Sequence, residues 1–132
     1  MRFQGSIEFT VIEHESDRVV STMPIQSGIK NPFGVVQAGA MLWLADVTAS
    51  VLVLGGVMPS EGMKGFPLAV SLNAHFLANQ HEGSFRAVAS FVKKGRNVSV
   101  VRTVVYGESD RIIADVTTSH VQSTWISVKQ SQ

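Results

Sequence analysis

The pattern of apolar and polar residues divides the chain into six predicted strands and one predicted helix. Where apolar and polar residues alternate between turn-forming residues, the pattern is typical of half-buried β-strands. Polar or glycine-containing turns separate most of these stretches. The predicted strands cover residues 3–11, 18–25, 68–77, 84–93, 97–106 and 111–121.

A long apolar run between the second and third strands predicts a helix that begins at Ala38 or Gly39 and ends near Leu54. Gly55 follows, and glycine suits the left-handed backbone that closes many helices. One helix cannot cover six strands unless the sheet curls around it. The predicted fold class is therefore α+β, with one long central helix wrapped by a curved antiparallel sheet of about six strands.

The predicted helix is apolar on nearly all sides, so one of its faces remains uncovered once the sheet has packed against it. An uncovered apolar face and free sheet edges predict a homo-oligomer. The length of 132 residues predicts a single domain spanning residues 1–132.

Composition excludes several classes of function. The chain has no cysteine, which removes disulfides and thiolate chemistry, and the four histidines are isolated, so no metal site is expected. A formal net charge of +1 without a basic stripe argues against nucleic-acid binding. The N-terminus has no apolar signal core, and polar residues interrupt the apolar stretch 35–58. We therefore expect a cytoplasmic protein without a membrane span.

Asp46 is the only charged residue between positions 31 and 60, and its neighbours include Trp43, Leu44 and Val47. Burying an unpartnered carboxylate costs several kcal/mol. Such a residue is tolerated mainly where the charge has a function or a specific partner. Asp46 is therefore the first candidate for a catalytic residue.

Ala38 and Gly39 at the helix start offer free amide groups and the positive end of the helix dipole, which together suit an oxyanion. Asp46 follows Gly39 by seven residues and lies on the same helix face. At 1.5 Å per residue the two are roughly 10 Å apart, too far to act on one carbonyl. An antiparallel partner helix removes this difficulty, which predicts composite sites at a dimer interface.

The segments from Asn31 to Gly39 and from Leu44 to Asp46 resemble the signature of hotdog-fold acyl-CoA thioesterases. The branch that they resemble contains the phenylacetate-degradation and 4-hydroxybenzoyl-CoA thioesterases. Its pattern is Asn-x-x-Gly-x-x-His-Gly-Gly followed by Leu-x-Asp or Leu-x-Glu, and the spacing here needs no gap. The likeness extends over residues 25–120, with 69–73 similar to the third strand and 94–96 similar to the Gly-Arg turn.

This resemblance implies a role for each candidate residue. Asp46 would activate water or attack the thioester carbonyl, while the amide of Ala38, helped by Gly39, would polarise the carbonyl oxygen. Asn31 would line the catalytic pocket. Ser71 would face Asp46 from the partner subunit and orient the carboxylate or the water.

Gly95 and Arg96 would touch the pantetheine arm or the phosphates of CoA, by the same resemblance. Without it, Arg96 belongs to an ordinary solvated turn. Asn31 is equally explained as a turn residue before Pro32, and Ser71 as a buried structural serine.

The family's His-Gly-Gly is replaced here by Gln37-Ala38-Gly39. Ala38 keeps the amide donor, and Gln37 keeps hydrogen-bonding capacity but does not titrate near neutral pH. This departure leaves open a non-catalytic hotdog protein that binds acyl-CoA. A hydratase on the same fold is less well supported, because its helix histidine would fall at Val51.

The expected enzyme is an acyl-CoA thioesterase that hydrolyses a small aromatic or medium aliphatic acyl-CoA to the free acid and CoA. Met41, Trp43 and Phe76 are the candidates for an apolar acyl lining. CoA is then part of the substrate, and no separate cofactor is expected. The protein would form a homodimer or a dimer of dimers.

Overall fold

The chain forms one helix and six strands in the predicted order. The structure, a computed structural model, describes residues 1–123. The helix α1 spans Ala38–Leu54. The strands are β1 (Thr10–His14), β2 (Arg18–Pro24), β3 (Pro67–Phe76), β4 (Ser84–Lys93), β5 (Val98–Tyr106) and β6 (Ile112–Gln122).

All six strands belong to one antiparallel sheet with the order β1-β2-β4-β5-β6-β3. Helix α1 contacts the five strands β2 to β6, so the sheet curves around it. The core lies between the two, where Met41, Leu44 and Ala45 of the helix meet Phe85 and Val116 of the sheet. This arrangement is the hotdog fold, and the predicted fold class is confirmed.

The first predicted strand was wrong in its bounds. Residues 3–9 form no strand, and β1 begins at Thr10. Ile7 and Phe9 nevertheless pack against the core, and the Phe9 ring meets Trp43 edge-to-face at 4.7 Å between centroids. The alternation in this segment therefore reflects an extended chain packed on the helix, not a hydrogen-bonded ladder.

The helix begins and ends where the sequence predicts. Gln37 has an extended backbone (φ −66°, ψ 143°) and precedes the first helical residue, Ala38. Gly55 follows Leu54 with φ +71°, a backbone angle that side-chain-bearing residues rarely adopt. Across residues 1–123, no helix combines the length and the apolar character needed to cross a membrane.

Two threonines on the core side are fully buried but differ in their hydrogen bonding. Thr48 Oγ1 on α1 lies 2.6 Å from the Leu44 carbonyl and 2.8 Å from Ser21 Oγ. Since a hydroxyl has one proton, Thr48 donates to the carbonyl and accepts from Ser21. Thr103 Oγ1 on β5 has no hydrogen-bond partner among residues 1–123.

The same substitution at these two threonines should have opposite effects on stability. Thr48→Val leaves the Ser21 hydroxyl buried without a partner, and we expect the free energy of unfolding to fall by about 1–3 kcal/mol. Thr103→Val removes an unsatisfied hydroxyl at nearly constant volume and should raise the free energy of unfolding by about 1 kcal/mol. Urea denaturation of both variants beside the wild type measures the difference, and shifts of the same sign would contradict this account.

Candidate active site

Asp46 lies in a cleft between α1 and β3. The cleft has a volume of about 400 Å³ and is lined by Leu42, Trp43, Asp46, Ala69, Val70, Ser71 and Leu72. Asp46 Oδ1 is buried and has no hydrogen-bond partner among residues 1–123. Because the residue as a whole is partly exposed, its other carboxylate oxygen is the one that reaches the cleft.

Ser71 lines the same cleft as Asp46 within one chain. The β3–β6 register slips between Ala69 and Ser71, and this bulge falls at the strand segment opposite Asp46. Ser71 is exposed, so it is not the buried structural serine of the alternative interpretation. Ser71 therefore reaches Asp46 from the same subunit, which differs from the approach from a partner subunit that the resemblance implied.

The apolar lining differs from the expected one. Trp43 and Leu42 line the cleft, and Trp43 is 43% exposed. Met41 is turned into the core with 2% exposure, so its expected contact with an acyl group is wrong for this cleft. Phe76 is exposed near the far end of β3 and does not line the cleft.

Asn31 and Gln37 lie in a second groove and not in the Asp46 cleft. This groove has a volume of about 560 Å³, and its lining is Arg2, Phe3, Gln4, Gly5, Lys30, Asn31, Pro32 and Gln37. Asn31 Oδ1 accepts from the amides of Phe33 (2.9 Å) and Val35 (3.4 Å), so it holds the turn before the helix. Within one chain, the candidate residues therefore form two separate groups.

The second groove depends on the N-terminal segment, which the sequence did not indicate. The Ser6 amide donates to the Gly28 carbonyl at 3.0 Å. A β-carbon on Gly5 would collide with that same carbonyl, so the glycine allows the close crossing of the two backbones. Arg2 and Lys30 then give the groove two cationic side chains.

The residues just before the helix are held by a segment earlier in the chain and by one later in the chain. The Gln37 amide donates to the Ile29 carbonyl at 2.9 Å. The Asn79 side chain binds Val36 twice, accepting from its amide at 3.2 Å and donating to its carbonyl at 2.9 Å. Ala38 and Gly39 are exposed, and their amides belong to the first helical turn, so they have no intrahelical acceptor. Asn79 carries no sequence motif that would have marked this role.

Gly95 and Arg96 lie in the β4–β5 turn. A β-carbon on Gly95 would collide with the Val98 carbonyl, and the Gly95 amide lies 3.3 Å from Ser99 Oγ. Ser99 pairs across the sheet with His120, and His120 pairs with Ala69 of the cleft. The turn therefore lies at the same end of the sheet as the Asp46 cleft. Arg96 is exposed and forms no ion pair with any residue in the range 1–123.

His120 is a buried polar residue near the cleft, and no motif in the sequence marks it. It is 1% exposed, and its Nε2 lies 2.7 Å from Thr118 Oγ1. Burial holds the pKa of the His120 imidazole below its usual range, while the Pro67 carbonyl and the Asp46 carboxylate oppose this shift. A lone histidine on a strand has no periodic signal, so only the strand register reveals its position.

The site can supply a carboxylate for base or nucleophilic chemistry and amide donors for a developing oxyanion. Within the described residues 1–123, no three histidine, aspartate or glutamate side chains are arranged to hold a metal ion. A carboxylate on the central helix, facing a cleft of a hotdog fold, places the protein in the class of thioester hydrolases. Residues 33–114 match the Thioesterase superfamily, and the chain belongs to this family.

Related proteins agree with this class. The chain is 29% identical over 96 residues to the 1,4-dihydroxy-2-naphthoyl-CoA hydrolase of Escherichia coli, covering 73% of this chain and 68% of that protein. It is 23% identical over 113 residues to the hydrolase of the same name from Listeria monocytogenes, covering 86% of this chain and 89% of that protein. A hypothetical thioesterase protein of Streptococcus pneumoniae, solved with coenzyme A, has a TM-score of 0.76 at 14% identity. The match covers 88% of this chain and 86% of that chain.

The protein is therefore an enzyme of the thioester hydrolase class. This confirms the resemblance found in the sequence and the prediction of an enzyme.

The depressed pKa of His120 predicts that the protein loses stability on mild acidification. The unfolded histidine titrates near its ordinary value of 6.5, whereas the folded ring resists protonation. As pH falls through 6.5, the unfolded state binds the proton first, so the free energy of unfolding decreases. Urea denaturation between pH 7.5 and pH 5 should show a steeper loss in the wild type than in His120→Asn, and parallel losses would contradict the prediction.

Proposed function

We propose that this thioesterase hydrolyses a small aromatic or medium aliphatic acyl-CoA to the free acid and CoA. The observation that carries the proposal is the position of Asp46, which lines an apolar cleft while one carboxylate oxygen is buried behind it. A carboxylate in such a site acts as a general base toward water or as a nucleophile toward the thioester carbonyl.

The apolar wall formed by Leu42 and Trp43 supports an uncharged acyl group. A planar aromatic acyl group would gain most from the exposed face of Trp43. The two hydrolases named above act, by their names, on an aromatic naphthoyl-CoA, which supports the same class of substrate.

In this proposal the helix N-terminus forms the oxyanion hole, with the amide of Ala38 as the main donor and Gly39 beside it. Asp46 is roughly 10 Å further along the same helix, so one chain cannot bring both to one carbonyl. The separation of the Asp46 cleft from the groove of Asn31 and Gln37 supports a composite site. Each site would combine Asp46 and Ser71 with Asn31, Gln37 and Ala38 across a subunit boundary.

The edge of the sheet supports a homodimer as the functional unit. β3 is an edge strand, and it exposes Val70, Leu72 and Phe76. An apolar edge strand left open is an aggregation hazard, so pairing with a second copy satisfies both its backbone and its side chains. Trp43 is exposed beside the same strand.

We assign the CoA end of the substrate to the β4–β5 turn. Lys93, Lys94 and Arg96 are exposed there, and none forms an ion pair among residues 1–123. Free cations at a glycine turn suit phosphate groups. The related structure with bound coenzyme A supports a CoA thioester as substrate.

Asp46→Asn should lower the rate of hydrolysis by about 10²–10⁴-fold, the usual cost of losing a general base. The measurement is thiol release from a panel of aromatic and aliphatic acyl-CoAs. Because the chain has no cysteine, every thiol detected by a colorimetric reagent comes from CoA.

Asp115→Asn is the matched control, because Asp115 is paired with Arg102 at 2.6 Å on β6 and does not line the cleft. It removes the same charge and should leave turnover close to that of the wild type. Equal loss in the two variants, or turnover that persists in Asp46→Asn, would remove Asp46 from the mechanism.

Ala38→Pro should lower kcat by about 10²–10³-fold, the typical cost of one oxyanion donor. Proline has no amide proton, yet it is favoured at the first helical position, and the extended backbone of Gln37 suits a residue before proline. The fold should therefore survive, as circular dichroism can verify. Ala38→Gly keeps the amide and serves as the comparison, so equal turnover in both variants would exclude this oxyanion hole.

Co-expression of Ala38→Pro with Asp46→Asn tests the composite site directly. If each site draws Ala38 and Asp46 from different subunits, every mixed dimer contains one intact site, and random pairing should restore about one quarter of the wild-type activity. Sites built within one subunit would give no recovery. A monomeric protein would also give no recovery, and size-exclusion chromatography would identify a monomer.

A further inference from the structure

Two buried polar atoms, one in the Asp46 cleft and one behind its β3 wall, have no hydrogen-bond partner among residues 1–123. One is Asp46 Oδ1, and the other is His120 Nδ1. Burying a polar atom without a partner is unfavourable, so native structures rarely leave two of them close together. Neither the proposed oxyanion hole nor the catalytic role of the carboxylate explains why both atoms lack a partner.

The strand register places His120 directly behind the wall of the cleft. His120 pairs with Ala69 of β3, and the strand segment from Ala69 to Leu72 lines the cleft opposite Asp46. Val116, Thr118 and His120 are all buried along β6, which turns the imidazole toward α1. The side chain of Ala69 is a methyl group, which is too small to separate the His120 ring from the cleft.

Electrostatics agree with this placement. Burial dominates the pKa of His120 and keeps the ring neutral near pH 7, while the Pro67 carbonyl and, to a smaller extent, the Asp46 carboxylate favour the protonated ring. A neutral imidazole has one nitrogen that donates and one that accepts. The tautomer therefore decides what His120 offers to Asp46.

The contact with Thr118 accommodates either tautomer, so the Asp46 carboxylate decides between them. Thr118 Oγ1 lies 2.7 Å from Nε2, and a hydroxyl can act as donor or acceptor there. If Thr118 donates, Nδ1 carries the proton and faces a carboxylate acceptor. In the opposite tautomer, an unprotonated Nδ1 would face a carboxylate oxygen, and both atoms would be acceptors. The first arrangement gives both unpartnered atoms complementary roles.

We propose that His120 is a positioning residue for Asp46, with its Nδ1–H donating toward Asp46 Oδ1 through one water or after a small rotation of the carboxylate. In this tautomer Thr118 donates to Nε2, and His120 fixes the orientation of the carboxylate. The second carboxylate oxygen is then held toward the cleft, where the reaction takes place. This inference rests on the catalytic role of Asp46 proposed above.

The first test needs no substrate. Long-range ¹H–¹⁵N NMR spectra distinguish the two tautomers of a neutral histidine, and the spectrum of His120→Asn assigns the His120 signals. We expect the Nδ1–H tautomer in the wild type and a loss of this preference in Asp46→Ala. A wild-type Nε2–H tautomer, or signals unaffected by Asp46→Ala, would overturn the proposal.

The second test compares two variants of His120 by thiol release. In Asn, the side-chain amide can place an N–H near the position of Nδ1–H, whereas Leu has no hydrogen-bonding group. We expect His120→Leu to lower kcat by roughly 10–100-fold, as when the partner that orients a metal ligand is lost, with little change in KM. His120→Asn should retain most of the activity. Equal kcat values for the two folded variants would contradict a positioning role.

A double-mutant cycle separates positioning from a purely structural role. In the Asp46→Asn background, His120→Leu should cause no further loss of kcat, because the group that it orients is absent. Additive losses would show that His120 acts independently of Asp46 and would overturn the proposal. If the wild type releases no thiol from any acyl-CoA, the proposed function fails, and the NMR result still decides whether His120 and Asp46 are linked.

Discussion

Helix α1 is apolar on nearly every side, so its stability depends on the curved sheet that surrounds it. Among its 17 residues, the polar side chains are Asp46, Thr48 and Ser50. Contacts with β2 to β6 fix its depth and rotation. The same packing therefore determines how far Asp46 is buried, which groups face it from β3, and how the free amides at Ala38 are presented.

Two polar residues of α1, Asp46 and Thr48, differ in whether their buried oxygen atoms have hydrogen-bond partners. Thr48, two residues further along the helix, is fully satisfied by the Leu44 carbonyl and Ser21. Asp46 Oδ1 has no such partner in the described part of the chain. An unsatisfied charged group lowers stability, and active sites commonly retain groups of this kind because their charge is needed for the reaction.

The sequence predicts best what local chemistry decides. The helix bounds followed from an apolar run that ends at a glycine, and Gly55 has the positive φ that this ending requires. Residues 3–9 were misassigned because Ile7 and Phe9 alternate as strand residues do, although they pack on the helix without pairing. Asp46 was found because a lone carboxylate in an apolar run is visible without a structure. Asn79 and His120 were missed because their meaning depends on strand register and on loops distant in sequence.

The strand order also determines when the cleft can form. β3, which supplies one wall, pairs with β6 and with no other strand within residues 1–123, and β6 is the last strand of the described chain. β3 is therefore synthesised well before its partner, and its backbone stays unpaired until the rest of the sheet has assembled. Such non-local pairing slows folding. The segment that shapes the reaction site is thus also the one most dependent on protection from aggregation during biosynthesis.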